Sequence, residues 1–99
     1  MANDKYILGG TVVIPCPDLA TWAAWFQTAN RIVKRTQISD VAVSTAFLGL
    51  DHRFGEDGPP LVFETMIFGG AHDGHQMRCS TWLQAEAQHG VAEEMVRTA

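Results

Sequence analysis

Two neighbouring segments in the middle of the chain constrain its fold more than any other feature. Val41–Leu50 and Leu61–Phe68 have the length and the β-branched and aromatic content of β-strands. In each segment, apolar side chains occupy both alternating sets of positions, so neither side of the strand is polar. A strand that is apolar on both sides must be covered on both sides. The rest of the chain, or another molecule, therefore has to supply two covering layers.

Two amphipathic helices are available as covers. The first follows Asp18, which stands in the N-cap position, and it ends near Asn30. The second begins at Thr81, whose hydroxyl can cap the helix while Gln84 reaches back in a capping-box arrangement. Both helices are short, and their aromatic and aliphatic residues recur at helical spacing. We therefore expect them to pack against the strands.

Further strands complete the prediction. They are Tyr6–Ile14, whose Gly9-Gly10 step favours a bulge, Arg31–Ile38, and a last strand that contains Arg78. The sequence thus predicts one α+β domain spanning 1–99, with about five strands in the order β-α-β-β-β-β-α. The sheet should be mostly antiparallel, with two helices on one face. If the first two strands share a sheet, a right-handed crossover would make them parallel.

This arrangement leaves one face of the predicted sheet without a cover. Since both helices lie on the same side, a second copy of the chain is the simplest way to shield the other side. Exposed apolar patches of this kind mark association surfaces. The pattern therefore predicts a homo-oligomer that forms through the open sheet face or through an edge strand.

Composition and charge exclude several classes of protein. The net charge of -4 argues against binding duplex nucleic acid through a broad basic surface. The N-terminus does not have the pattern of a signal peptide, and no apolar run is long enough to span a bilayer. Cys16 and Cys79 are expected to be reduced thiols packed as small apolar residues, as in a cytoplasmic protein.

Two groups of polar residues in and near the central strands could contact a ligand. The long loop Asp51–Pro60 carries Arg53, which can bind an anion, and Phe54, which can stack on a ring. Glu64 lies within an apolar strand, so a basic partner such as Arg78 or Arg53 should meet it. That pair can be a structural ion pair, or its carboxylate can accept hydrogen bonds from a ligand.

The start of the second helix is a further candidate, because its free amides and its dipole attract anions. Ser80 and Thr81 open this helix, and the alternative role of their hydroxyls is simple capping. Trp82 follows them and could line the same pocket. The predicted ligand-binding residues are Arg53, Phe54, Glu64, Arg78, Ser80, Thr81 and Trp82.

Four histidines raise the alternative of a small metal-binding protein. His72 and His75 are close in sequence, but the Asp-Gly pair between them favours an exposed hairpin turn. His52 and His89 stand alone, and the sequence leaves open whether His89 faces the core or the solvent. No established zinc-site spacing, catalytic motif or cofactor motif is present, so we predict a protein without catalytic residues or a cofactor.

The segment Val43–Gly90 resembles a widespread group of short proteins encoded by phages and prophages. The resemblance rests on three stretches, STAFLGLDH, GPPLVFETMIFGG and the STW-led helix that contains His89. Cys79 and the acid-poor start of the last helix depart from the usual pattern of the group. The chain is also similar to phage counter-defence proteins of the Thoeris anti-defence sponge type, although none of their ligand-binding residues can be assigned to positions of this sequence.

The resemblance implies a function without turnover. Proteins of the sponge type sequester cyclic nucleotide-like immune signals in the cytoplasm of the infected bacterium, in pockets formed between subunits. A small acidic chain that has arginines and aromatic residues near its strand ends is compatible with such capture. The alternative from a different class is a protein–protein inhibitor of a host defence complex, similar in action to an anti-CRISPR protein.

Overall fold

The computed structural model describes residues 3–53 and 57–99 of the chain. In this part of the chain, six strands and two helices follow one another in the order β-β-α-β-β-β-β-α. The elements are β1 (Tyr6–Gly9), β2 (Val12–Pro15), α1 (Leu19–Thr28), β3 (Ile32–Ile38), β4 (Val41–Phe47), β5 (Phe63–Phe68), β6 (Gln76–Cys79) and α2 (Trp82–Arg97). The α+β class predicted from the sequence is confirmed.

A four-stranded antiparallel sheet with the order β3-β4-β5-β6 forms the centre of the fold. Each strand pairs with the next one along the chain, and Thr45 on β4 lies opposite Thr65 on β5. The pairing of β3 with β4 shifts register between Ile32 and Lys34, which is the sign of a bulge in that edge strand. Helix α2 packs along all four strands on one face of this sheet.

The predicted first strand is wrong in one respect, because Tyr6–Ile14 is not a single strand. It folds into a hairpin, in which β1 and β2 pair as a separate two-stranded antiparallel sheet. Gly10 has a φ of 63°, which suits the first central position of a tight type II′ hairpin turn. The Gly9-Gly10 step is therefore a turn instead of a bulge. The first two strands were expected to be parallel if they shared a sheet. This case does not occur, because neither strand of the hairpin joins the larger sheet.

Helix α1 packs mainly on this hairpin and reaches the sheet through one side chain. Its Trp25 meets Phe47 edge to face at 5.7 Å, on the side of the sheet that α2 covers. Phe47 contacts Phe63 at 5.2 Å, and Phe63 contacts Trp82 of α2 at 6.2 Å. This aromatic row connects both helices to the sheet. The expectation of two helices on one face thus holds fully for α2 and only at one end of the sheet for α1.

The local signals at the ends of elements are confirmed. The carboxylate of Asp18 accepts a hydrogen bond from the N–H of Thr21 at 2.9 Å, as an N-cap does. The hydroxyl of Thr81 accepts from the N–H of Gln84 at 3.1 Å at the start of α2. The turn between β3 and β4 occurs at Ser39, which has a φ of 54°. Short-range capping chemistry could thus be read correctly from the sequence.

Two expectations about the environment of the chain can be compared with the structure. Cys16 and Cys79 are both free thiols and both are buried, as predicted. Across residues 3–53 and 57–99, no helix is both long enough and apolar enough to cross a membrane.

Gly49 is the joint between the hairpin, α1 and the end of β4. Its carbonyl accepts hydrogen bonds from the N–H of Tyr6 at 2.9 Å and from the indole N–H of Trp22 at 3.1 Å. Its φ is 76°, and a Cβ atom added there would lie 2.9 Å from the ring of Phe26. Both the backbone angle and the close ring select glycine at this position.

We expect Gly49→Ala to lower the free energy of unfolding by roughly 2 to 4 kcal/mol, because it combines left-handed strain with a ring clash. Gly10→Ala is the matched control: its φ is also positive, but nothing lies within 4 Å of the added Cβ. The control should cost only about 1 to 2 kcal/mol. Urea unfolding of the two variants measures the difference, and equal losses would contradict the role of the contact with Phe26.

Candidate functional site

Two of the predicted site residues form an ion pair on the sheet face that α2 does not cover. Glu64 on β5 lies opposite Arg78 on β6 in the register of the sheet. The Nε–H of Arg78 donates to a carboxylate oxygen of Glu64 at 3.0 Å. Both side chains are partly exposed. The predicted partnership is confirmed, and it accounts for a carboxylate in an otherwise apolar strand.

A cleft of about 400 Å³ opens beside this pair, between the end of β6 and the first turns of α2. Its size falls in the range of small-molecule sites. The residues that line it are one arginine, one serine, two glutamines, one cysteine and two apolar residues, and none of them is acidic. They are Leu61, Arg78, Cys79, Ser80, Gln84, Ala87 and Gln88. The composition of the wall therefore favours a neutral or anionic guest over a cation.

Gln88 provides an unused acceptor in the wall of this cleft. Its Nε2 donates to the backbone carbonyl of Arg78 at 3.1 Å, which fixes the orientation of the amide. Its Oε1 is buried and accepts no hydrogen bond from any described residue. A buried carbonyl oxygen without a donor costs free energy, and because protein covers this atom, a ligand could reach it only if the side chain of Gln88 moved.

Of the residues that open α2, one lines the cleft and the others stabilise the fold. Ser80 lines the cleft, and its N–H donates to Oε1 of Gln84 at 3.1 Å. Thr81 caps the helix with its hydroxyl, which is the alternative role that the sequence left open for it. Trp82 packs its ring against Phe63 in the core and does not line the cleft. Trp82 is therefore not among the residues of this cleft, and its contact with a ligand stays a prediction.

The thiol of Cys79 in the cleft wall has no nucleophilic character. Burial raises the pKa of Cys79 above its ordinary value, and this outweighs the lowering effect of a hydrogen bond with the backbone of Thr81. The sulfur therefore stays protonated at neutral pH, and a protonated thiol attacks poorly.

Arg53 is engaged within its own loop and does not reach toward the pair of Glu64 and Arg78. Its Nε–H donates to the carboxylate of Asp51 at 2.7 Å, and a terminal N–H of its guanidinium donates to the carbonyl of Gly58. Asp51 also accepts from the N–H of Leu61 at 3.0 Å, so this cluster closes the base of the loop. Phe54 lies outside the described residues. The structure thus gives Arg53 a framework role.

The metal alternative finds no site in the described part of the chain. His72 and His75 belong to the turn between β5 and β6, where the N–H of His75 donates to the carbonyl of His72 at 2.9 Å. The carboxylate of Asp73 accepts from the N–H of Gly69 in the same turn. Over residues 3–53 and 57–99, no three His, Cys, Asp or Glu side chains converge as metal ligands would.

His89 lies in the core, where it connects α2 to two strands of the sheet. Its ring is fully buried. Its Nδ1 is 2.7 Å from the hydroxyl of Thr45 on β4, and its Nε2 is 2.9 Å from the hydroxyl of Thr36 on β3. Thr45 continues to Thr65 on β5 at 2.7 Å, and Thr36 continues to Glu93 on α2 at 2.8 Å. We call these five residues the His89 chain.

The donors and acceptors of the His89 chain can run in only one direction while Glu93 is ionised. The pKa of Glu93 lies below its ordinary value, chiefly because of the hydrogen bond from Thr36 and also because of the nearby positive charges. The carboxylate of Glu93 therefore accepts a hydrogen bond from the hydroxyl of Thr36, which has only one proton to donate. The oxygen of Thr36 must then accept from Nε2–H of His89. The neutral ring then accepts at Nδ1 from Thr45, and Thr45 accepts from Thr65.

Thr45, Thr65 and His89 of the His89 chain are enclosed by protein, whereas Thr36 and Glu93 are partly exposed. Thr45 and Thr65 are almost completely inaccessible to solvent. None of the five residues lines the cleft beside Arg78 or the larger hollow at the end of α2 that is described below. A hydroxyl bonded to an imidazole can be a catalytic arrangement, but only where a substrate can reach it. The chain of hydrogen bonds therefore serves to fix α2 on the sheet.

Sequence reasoning missed this chain, although signals for it are present. Thr45 and Thr65 occupy the strand positions that also carry the core residues Val43 and Ile67. His89 shares the buried side of α2 with Ala85 and Ala92. A histidine at helical core spacing opposite threonines at strand core spacing indicates a buried polar network, but the docking of the helix decides whether they meet.

A second and larger hollow, of about 480 Å³, lies where the β3–β4 turn, the residues after β5 and the end of α2 come together. Its lining residues include the acidic Asp40 as well as the basic Arg97. A negative charge next to the hollow disfavours an anionic guest. The smaller cleft beside Arg78 is therefore the better candidate for the ligand class predicted from the sequence.

Comparison with known proteins adds no relationship to these observations. No protein-family model matches the sequence, and neither the curated proteins nor the solved structures include a significant match.

We expect the His89 chain to make stability depend on pH as the pH falls below about 6.5. Burial lowers the pKa of His89 below its ordinary value of 6.5, while the charge of Glu93 raises it and that of Lys34 lowers it. Arg97 also faces Glu93, at 3.9 Å. The unfolded chain then binds a proton more readily than the native protein, so stability falls as the pH drops below about 6.5.

The measurement is the free energy of unfolding across this range, compared with a His89→Gln variant that cannot titrate. The difference between the two proteins should change by up to about 1.4 kcal/mol per pH unit. Titration of Glu93 affects stability only at lower pH, since its pKa lies below 4.5. Parallel curves for the two proteins below about pH 6.5 would contradict a neutral, buried His89.

Proposed function

We propose that this protein binds a small nucleotide-like ligand in the cleft beside Arg78 and holds it without chemical turnover. The resemblance of Val43–Gly90 to phage-encoded counter-defence proteins supports a biological role as a sponge for a nucleotide-derived immune signal in the cytoplasm of the infected cell. The proposal includes self-association of the chain, which the pattern of the central strands predicts.

One combination of groups supports the ligand class. Arg78 supplies a positive charge that can bind a phosphate, and the side-chain amides of Gln84 and Gln88 can hydrogen-bond a ribose hydroxyl or a base edge. These three residues line the same cleft, and none of its lining residues is acidic. A nucleotide carries an anion and hydrogen-bonding groups on one molecule, so it can contact the arginine and the glutamines at once.

The ion pair with Glu64 determines how this charge becomes available. The carboxylate contacts only Nε of the guanidinium, and a terminal nitrogen of Arg78 makes a long contact of 3.4 Å with Gln76. The remaining N–H groups can therefore serve a phosphate while Glu64 holds the side chain in place. This arrangement preorganises the guanidinium and reduces the entropy lost on binding.

The test is calorimetric titration with cyclic dinucleotides, cyclic trinucleotides and cyclised ADP-ribose isomers. Arg78→Gln should weaken binding of the active compound by about 10- to 100-fold, because a charge-assisted hydrogen bond is lost. Glu64→Gln is the matched control, since it removes the charge of the ion pair at 3.0 Å but keeps an amide oxygen that can still accept from Nε of Arg78. It should retain affinity within about threefold.

Thermal unfolding of both variants shows whether they remain folded. Equal loss of affinity in Arg78→Gln and Glu64→Gln would mean that the ion pair acts only through the fold. Absence of heat with every compound would overturn the proposal. If a host protein then co-purified with the chain, the alternative of a protein–protein inhibitor would take its place.

A further inference from the structure

The sheet face opposite α2 has a shape that follows directly from its register. The contact of Thr45 with His89 shows which side α2 covers, so the residues on either side of Thr45 along β4 point to the other side. We call that side the open face. On β4 it presents three small side chains, Ala42, Ser44 and Ala46.

The neighbouring strand presents three large side chains in register with the small ones. Phe68, Met66 and Glu64 of β5 pair with Ala42, Ser44 and Ala46, respectively. The open face therefore has a trough along β4 and a ridge along β5, side by side and of equal length. Phe68 at one end of the ridge is 47% exposed, which is unusual for a phenylalanine in a strand.

We propose that the open face binds a second copy of the chain, and that the ridge of each copy lies in the trough of the other. A two-fold axis parallel to the strands, between β4 and β5, places β5 of one copy over β4 of the other and the reverse. A single self-complementary patch then forms both halves of the interface. This inference rests on the self-association in the proposed function and is independent of its ligand.

The other simple two-fold arrangement is unfavourable. An axis perpendicular to the strands places β5 over β5, so two ridges collide while two troughs leave a void. It also places Glu64 over Phe68 of the second copy, which desolvates a carboxylate against an aromatic ring. Only the axis parallel to the strands fills the trough and keeps the carboxylate at the rim.

The charges on the open face support the same arrangement. Arg35 on β3 pairs with Ser44, so its side chain borders the trough. When the ridge of a second copy occupies this trough, Glu64 of that copy lies over Ala46, diagonal to Arg35 and within reach of its long side chain. One oxygen of Glu64 accepts from Arg78 of its own chain. The other oxygen can accept from Arg35 across the interface, and the symmetry repeats this contact.

The size of the open face sets the expected strength of association. A patch of four strands about 4.8 Å apart and about six residues long covers on the order of 400 Å² per copy. Stable interfaces usually bury about 800 Å² per partner. We therefore expect a reversible dimer with a dissociation constant on the order of 10 to 100 µM.

Sedimentation equilibrium of the whole protein up to millimolar concentration tests the interface through a reciprocal exchange. Ala42→Phe fills the trough and should weaken the dimer at least about 10-fold, because the added ring meets Phe68 of the second copy. The double variant Ala42→Phe with Phe68→Ala exchanges ridge and trough within one pair of neighbours. It should restore the dissociation constant to within about threefold of the unchanged protein.

A second pair of variants separates the open face from general surface effects. Phe68→Lys should abolish the dimer. Leu83→Lys is its matched control, because Leu83 is 77% exposed on α2 and lies away from the open face. Circular dichroism confirms that each variant remains folded.

A chain that stays monomeric at millimolar concentration overturns the proposal, even if the open face then captures another protein. A dimer that is disrupted by Leu83→Lys and not by Phe68→Lys overturns it as well. Failure of the double variant to recover would exclude the pairing of ridge with trough. Nucleotide titration of Ala42→Phe is a separate readout, since Ala42 does not line the cleft beside Arg78.

Discussion

The rest of the structure depends on how α2 is fixed across the sheet, and the buried hydrogen bonds of His89 provide that attachment. Through Thr45 and Thr36 the imidazole joins the helix to two strands, and Thr45 extends the connection to Thr65 on a third. Apolar packing alone would let a helix rotate or slide on such a surface, because it is not directional. A fully satisfied polar network in a dry interior permits one alignment, since any other leaves a buried group without a partner.

The alignment of α2 also defines the cleft, because one of its walls is the helix and the other is the end of β6. The residues around the cleft have different roles. Thr81 caps the helix and Trp82 joins the aromatic row, so both serve the fold. Arg78 and Gln88 retain hydrogen-bonding capacity that the described part of the protein does not use. Unused hydrogen-bonding capacity next to a hollow is the physical reason for proposing a ligand at this place.

Sequence reasoning succeeded where the controlling interactions are local. The caps at Asp18 and Thr81 depend on residues three positions away, and the pairing of Glu64 with Arg78 depends on adjacent strands. It failed at Gly10, because a pair of glycines is compatible with a bulge or a turn and only the pairing partner decides. The cleft and the burial of His89 depend on the position of α2 over residues far away in the chain. No periodicity within a single segment contains that information.

The bulge in β3 has a consequence for the form that any assembly takes. Both outer strands of the large sheet, β3 and β6, offer backbone groups to which other chains could add. The break between Ile32 and Lys34 twists one border out of alignment, and the other border is only four residues long. Neither edge strand is suited to pairing with an edge strand of another molecule, so growth of the sheet into ribbons and fibrils is disfavoured. If copies associate through the open face as proposed, that surface is saturated after one partner, and the assembly would remain a finite particle.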